Sequence, residues 1–93
     1  MNKETTLLSE IARREQEIAE YQFNIEFYAE TLKVIAARPQ HEQTVLAAFE
    51  QGLRERMATE LQEQLKTSVM LEALLNQQET QARAFDGPSS AST

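Results

Sequence analysis

The feature that most constrains this chain is a run of residues spaced alternately four and three positions apart. A heptad pattern of this kind places its members on one stripe of an α-helix and is typical of helices that pack along one another. The run consists of Leu7, Ile11, Arg14, Ile18, Tyr21, Ile25, Tyr28, Leu32 and Ile35. Arg14 is its one charged member. We predict a long helix that starts near Thr5 or Thr6, either of which can cap it, and ends near Ala37.

A second long helix is predicted from about Gln40 to about Ala84, directly after a short turn at residues 38–40. Pro39 disfavours helical geometry in the residue before it and can itself occupy the first turn of the next helix. Because no Gly-rich or Ser-rich linker separates the two helices, they should be antiparallel neighbours. The predicted fold is therefore an all-α, coiled-coil-like helical hairpin.

Two breaking signals lie in the second helix. Gly52 costs about 1 kcal/mol relative to Ala in a helix interior, so a break there, which would give a three-helix arrangement, stays open as an alternative. The segment FDGP at residues 85–88 is a typical helix stop, and we predict a disordered polar tail at residues 86–93. Residues 1–85 then form a single domain.

Folding the chain at the predicted turn sets residue i opposite roughly residue 77 minus i. In this register Tyr28 faces Phe49, and Gly52 faces Ile25, where the missing side chain would leave room for bulky neighbours. The predicted seam between the helices consists of Ile11, Ile18, Tyr21, Ile25, Tyr28, Leu32, Phe49, Leu53, Met57 and Leu61.

A second apolar face is predicted on the first helix. Phe23, Phe27 and Val34 lie roughly 160–180° from the seam, where the partner helix of a hairpin does not reach. An exposed apolar patch of this kind usually marks an interface. We expect a second copy of the chain to cover it in a four-helix bundle, because most soluble oligomers are symmetric dimers. A secondary interaction candidate is formed by Val69, Met70 and Leu74.

Composition argues against several functional classes. The net charge of -6 disfavours direct binding to nucleic acid or to an anionic membrane. The absence of cysteine excludes thiolate metal sites and thiol nucleophiles. His41-Glu42 begins as a zinc-protease HExxH motif would, but Val45 stands at the second histidine position. We therefore predict no catalytic residue, no metal site and no cofactor, and we do not expect an enzyme.

The hydropathy pattern predicts a cytoplasmic protein. The N-terminal segment MNKETTLLSEIARREQ lacks the apolar core of a signal peptide. No stretch approaches the roughly 20 apolar residues that cross a bilayer, so we expect no membrane contact.

Two functions fit these features. The first is a protein–protein interaction module, such as a small adaptor, chaperone or assembly factor, which acts through its helix faces on itself and on another protein. The alternative is a small acidic inhibitor, of phage or mobile-element type, that blocks an enzyme acting on nucleic acid. That alternative rests on an analogy of size and charge.

Overall fold

The computed structural model describes the backbone of residues 3–92 and the side chains of residues 3–83. Every regular element in this part of the chain is helical: α1 (Lys3–Ala36), α2 (Gln40–Val45) and α3 (Ala47–Ser92). The two long helices, α1 and α3, pack along each other in a rod of 75 × 26 × 15 Å. The predicted all-α helical hairpin is confirmed.

The turn at residues 37–39 is held by one side chain that reaches back from α2. Nε2 of Gln43 donates hydrogen bonds to the backbone carbonyls of Ala36, at 3.2 Å, and Arg38, at 2.7 Å. The carbonyl of Ala36 is one that a helix end leaves without an intrahelical partner, and that of Arg38 lies in the turn itself. Pro39 is the N-cap of α2 with φ of -57°, so its missing N–H costs no helical hydrogen bond.

The second half of the hairpin is interrupted at Leu46, and the predicted alternative of a break at Gly52 is wrong. Leu46 has φ of -90° and ψ of 3°, outside helical geometry. Its N–H still donates to the carbonyl of Glu42, and its carbonyl still accepts from the N–H of Glu50. The interruption is therefore a bend that keeps its hydrogen bonds, whereas Gly52 lies inside continuous α3.

The register of the hairpin differs from the predicted one. Nε2 of Gln64 donates to the carbonyl of Ile18, at 3.4 Å, and to Oε1 of Gln22, at 2.9 Å. The residue numbers that face each other thus add up to 82 and 86, against the predicted value of roughly 77 for a hairpin folded at Pro39. The reason is that α2 belongs to the turn. The chain reverses around Glu42, so each residue of α1 meets a later residue of α3.

The side of α1 that faces α3 carries the heptad run. Leu7, Ile11 and Ile35 are buried. The remaining members of the run are half-buried, and they are Arg14, Ile18, Tyr21, Ile25, Tyr28 and Leu32. Side-chain N–H groups of Arg14 lie 3.6 Å from a carboxylate oxygen of Glu10 and 2.8 Å from one of Glu17. The charge that interrupts the seam is therefore paired within its own helix.

The prediction that Phe49 and Leu61 belong to the seam between the helices is wrong. Both side chains lie outside the helix interface, with 53% and 49% of their surface exposed. The predicted stripe advanced in steps of four after Leu53, and each such step turns about 40° around a 3.6-residue helix. The residues that face α1 instead alternate between four and three, and they are Leu53, Met57, Glu60, Gln64, Thr67, Leu71 and Leu74.

Gly52 is not required for close packing. A Cβ atom placed on Gly52 meets no atom within 4 Å, so the expected room for neighbours of Ile25 is not used. Gly52→Ala should stabilise the protein by about 1 kcal/mol, since Ala loses less backbone entropy in a helix. Thermal unfolding followed by circular dichroism should show a melting temperature several degrees higher. Ala73→Gly makes the opposite substitution at an exposed position of the same helix and should lower the melting temperature. A lower melting temperature for Gly52→Ala would contradict this prediction.

Both ends of the hairpin extend beyond the predicted boundaries. α1 begins at Lys3, so Thr5 and Thr6 lie inside the helix. The backbone of α3 is helical as far as Ser92, past the predicted end near Ala84. Gly costs about 1 kcal/mol and Pro about 3 kcal/mol in a helix interior, so this final segment has the lowest intrinsic helix stability. Of the tail predicted at residues 86–93, the side chains and Thr93 lie outside the described residues.

Candidate interaction surface

The outer face of α1 carries the three apolar residues singled out by the sequence. Phe23, Phe27 and Val34 have 68%, 58% and 58% of their surface exposed. We call these three residues the Phe face. They point away from α3, because the heptad run on the other side of α1 contacts that helix. The ring of Phe27 lies 6.2 Å from that of Tyr28, so the Phe face lies beside the seam.

A shallow groove borders the Phe face at Phe23. Gln16, Ala19, Glu20 and Asn24 line the groove with Phe23. An aromatic ring beside a shallow groove is a shape into which an apolar side chain of another protein can insert. Sites of this type depend on a few buried aromatic anchors for most of their binding energy.

A second exposed apolar stripe lies on α3, and sequence reasoning missed it as a separate feature. Its large members are Leu61, Leu65 and Leu75, of which Leu65 is the most exposed at 67%. We call the line of residues Ala58, Leu61, Leu65, Ser68, Glu72 and Leu75 the α3 stripe. Each residue of the α3 stripe comes directly after a residue of the seam in the sequence, so the two lines run side by side along α3. The alternating spacing of three and four was the signal that could have separated the two stripes.

The three residues of the secondary interaction candidate do not share one surface. Val69 and Met70 are exposed on α3, with Val69 the more accessible of the two. Leu74 is half-buried and lines a groove with Leu7 and Glu10 of α1. Leu74 therefore contributes to the contact between the helices, and the other two residues lie on outer surfaces of α3.

Ion pairs do not hold the two long helices together in the part of the chain with described side chains. Each pair between a Lys or Arg and a Glu joins residues three or four positions apart. Exposed pairs of this kind contribute about 0.3–0.5 kcal/mol each. The hairpin thus depends on its apolar seam. Among the described residues, only four apolar side chains have less than a tenth of their surface exposed, and they are Leu7, Ile11, Ile35 and Leu53.

The remaining chemistry of the described residues is sparse. His41 is exposed, with Nε2 3.9 Å from a carboxylate oxygen of Glu42. Within residues 3–83, no three His, Cys, Asp or Glu side chains come together as metal ligands. No helix in the described part of the chain is both long and apolar enough to cross a membrane.

Comparisons with known proteins do not add a functional assignment. No family model matches the chain, and no curated protein or solved structure gives a significant match.

Proposed function

We propose that this protein is a non-enzymatic protein–protein interaction module, a small adaptor, chaperone or assembly factor that acts through its exposed helix faces. The observation that carries this proposal is the exposure of Phe23, Phe27 and Val34 together on one face of α1. Fully burying one such side chain is worth about 1.5–3 kcal/mol, so a partner that covers all three gains substantial affinity.

The thin apolar core supports the same proposal. Among the described residues, the only apolar side chains with less than a tenth of their surface exposed are Leu7, Ile11, Ile35 and Leu53. A rod of two helices has little interior, and a protein partner that packs along it supplies the missing contacts.

Affinity capture with the intact protein tests the proposal. We expect proteins from a lysate of the source organism to be retained by the parent chain and lost from the double variant Phe23→Ser with Phe27→Ser. The substituted side chains are exposed, so helicity measured by circular dichroism should be unchanged. Val45→Ser is the matched control, because Val45 is an exposed apolar residue away from α1. Equal retention by the double variant and the parent would contradict the proposed role of the Phe face.

The salt dependence of the captured complex separates the two candidate functions. An apolar contact should survive about 0.5 M salt, since only charge interactions are screened at that ionic strength. Release of the partner at that concentration would instead favour the acidic inhibitor, whose carboxylates would occupy a phosphate-binding surface.

A further inference from the structure

The α3 stripe has the spacing of a helix–helix contact but no helix packed on it. Leu61, Leu65 and Leu75 are exposed, and they lie on a line whose members alternate between three and four positions apart. Ala58 and Ser68 flank the central leucines, and small side chains at such positions let a second helix approach closely. This line lies about 100° around α3 from the seam, so α1 cannot cover both.

We propose that a second copy of this chain packs antiparallel along the α3 stripe, with a two-fold axis at the level of Glu63. This inference rests on the proposed interaction function and names one of its partners. In this arrangement Leu61 of each copy meets Leu65 of the other, and Ala58 of each copy meets Ser68 of the other. The contact joins two hairpins into a four-helix assembly.

The charges on α3 determine the orientation and the register. With the axis at Glu63, Arg54 of each copy lies opposite Glu72 of the other, so two opposite charges meet at each end of the leucine cluster. A parallel pairing would set Arg54 against Arg54 and Glu72 against Glu72, and like charges across an interface are unfavourable. Sliding one helix by a heptad would place Glu72 against Leu61 of the other copy. Among the described residues Arg54 forms an ion pair with Glu50 of the preceding turn alone, at 2.9 Å and in an exposed position, so it can contact Glu72 of a second copy.

The α3 stripe is a longer contact than the Phe face on which the sequence places the second copy. With the axis at Glu63, the paired residues run from Arg54 to Glu72, whereas the Phe face runs only from Phe23 to Val34. Packing along α3 also leaves the Phe face on the far side of α1. The dimer would therefore present two Phe faces to other proteins, and self-association and partner binding would use different surfaces.

Cysteine cross-linking tests both the face and the register, because the chain contains no cysteine of its own. The double variant Ala58→Cys with Ser68→Cys should form a covalent dimer on mild oxidation, seen as a doubled mass on a non-reducing gel. Within one chain the two positions are about 15 Å apart along the helix, too far for an internal disulfide. Each single variant should stay monomeric on the gel, since its counterpart in the other copy is also about 15 Å away.

The controls make each outcome informative. Val45→Cys, at an exposed site in α2, reports cross-linking by random collision. The antiparallel register is wrong if either single variant yields as much covalent dimer as the double variant. It is also wrong if the double variant yields no more covalent dimer than Val45→Cys. Sedimentation equilibrium of the parent at about 100 micromolar should show mostly dimer for a micromolar Kd. A monomeric parent overturns the inference. If the parent is a dimer and the Phe23→Ser, Phe27→Ser variant is a monomer, the second copy binds the Phe face; this also overturns the inference but leaves the proposed interaction function intact.

Discussion

Leu53→Asp is expected to unfold the hairpin. Leu53 has only 5% of its surface exposed and lies on the side of α3 that packs against α1. Truncating a buried leucine costs about 2–5 kcal/mol, and the new carboxylate would have to be desolvated without a partner. Small domains have a total stability of about 5–15 kcal/mol, and the thin core described above places this hairpin toward the lower end. Helical circular dichroism should be largely lost at room temperature.

Val69→Asp is the matched control for that experiment. Val69 lies in the same long helix but has 59% of its surface exposed. Introducing Asp there changes helix propensity little, because Val and Asp rank close together, and it carries no burial cost, so the free energy of unfolding should fall by less than about 1 kcal/mol. If the two variants melt together, Leu53 is not part of the core in solution.

Glu60→Leu is expected to raise the stability of the hairpin by about 1–3 kcal/mol. Glu60 lies on the seam of α3, and its Oε2 atom is buried without a hydrogen-bond partner among the described residues. It shares a groove with Tyr28 of α1. Replacing this half-buried carboxylate by an apolar side chain of similar size removes the unsatisfied oxygen and adds apolar contact. For a chain of this length, the melting temperature should rise by about 4–8 °C for each kcal/mol gained.

Glu55→Leu provides the comparison for Glu60→Leu. Glu55 is exposed at the edge of the groove that Glu60 shares with Tyr28, and it accepts a hydrogen bond from Gln51 of the same helix, at 3.3 Å. Its replacement removes the same charge without filling the seam, and the melting temperature should change by no more than a few degrees. A lower melting temperature for Glu60→Leu would mean that the carboxylate stabilises the seam.

The part of the fold that sequence reasoning predicted is the part in which local and tertiary signals agree. In α1 a single heptad run carries eight of the twelve large apolar or aromatic residues, so it indicates one buried face. The Phe face stands out as the exception to that run, and its exposure follows from the geometry of one helix. Pro39 and the scarcity of glycine likewise place a reversal of the chain near the turn.

The register could not be predicted because it depends on how the chain reverses. Gln43 closes the turn through hydrogen bonds to two backbone carbonyls, and Leu46 takes a non-helical conformation. Neither residue carries a strong turn signal in the sequence. The six residues of α2 therefore appeared to continue the long helix, although they form the tip of the hairpin.

The sequence by itself determined that this protein is all-α, that two long helices meet as a hairpin and which face of α1 turns inward. Only the tertiary structure decided which face of α3 meets α1. That helix carries two stripes with heptad spacing, offset by one residue and about 100° apart around its axis. One contains Leu53, Glu60 and Gln64, and the other contains Leu61 and Leu65. Periodicity alone does not choose between the two for the interface. The choice is made by the turn, because a short connection through α2 fixes both the rotation and the register at which α3 returns along α1.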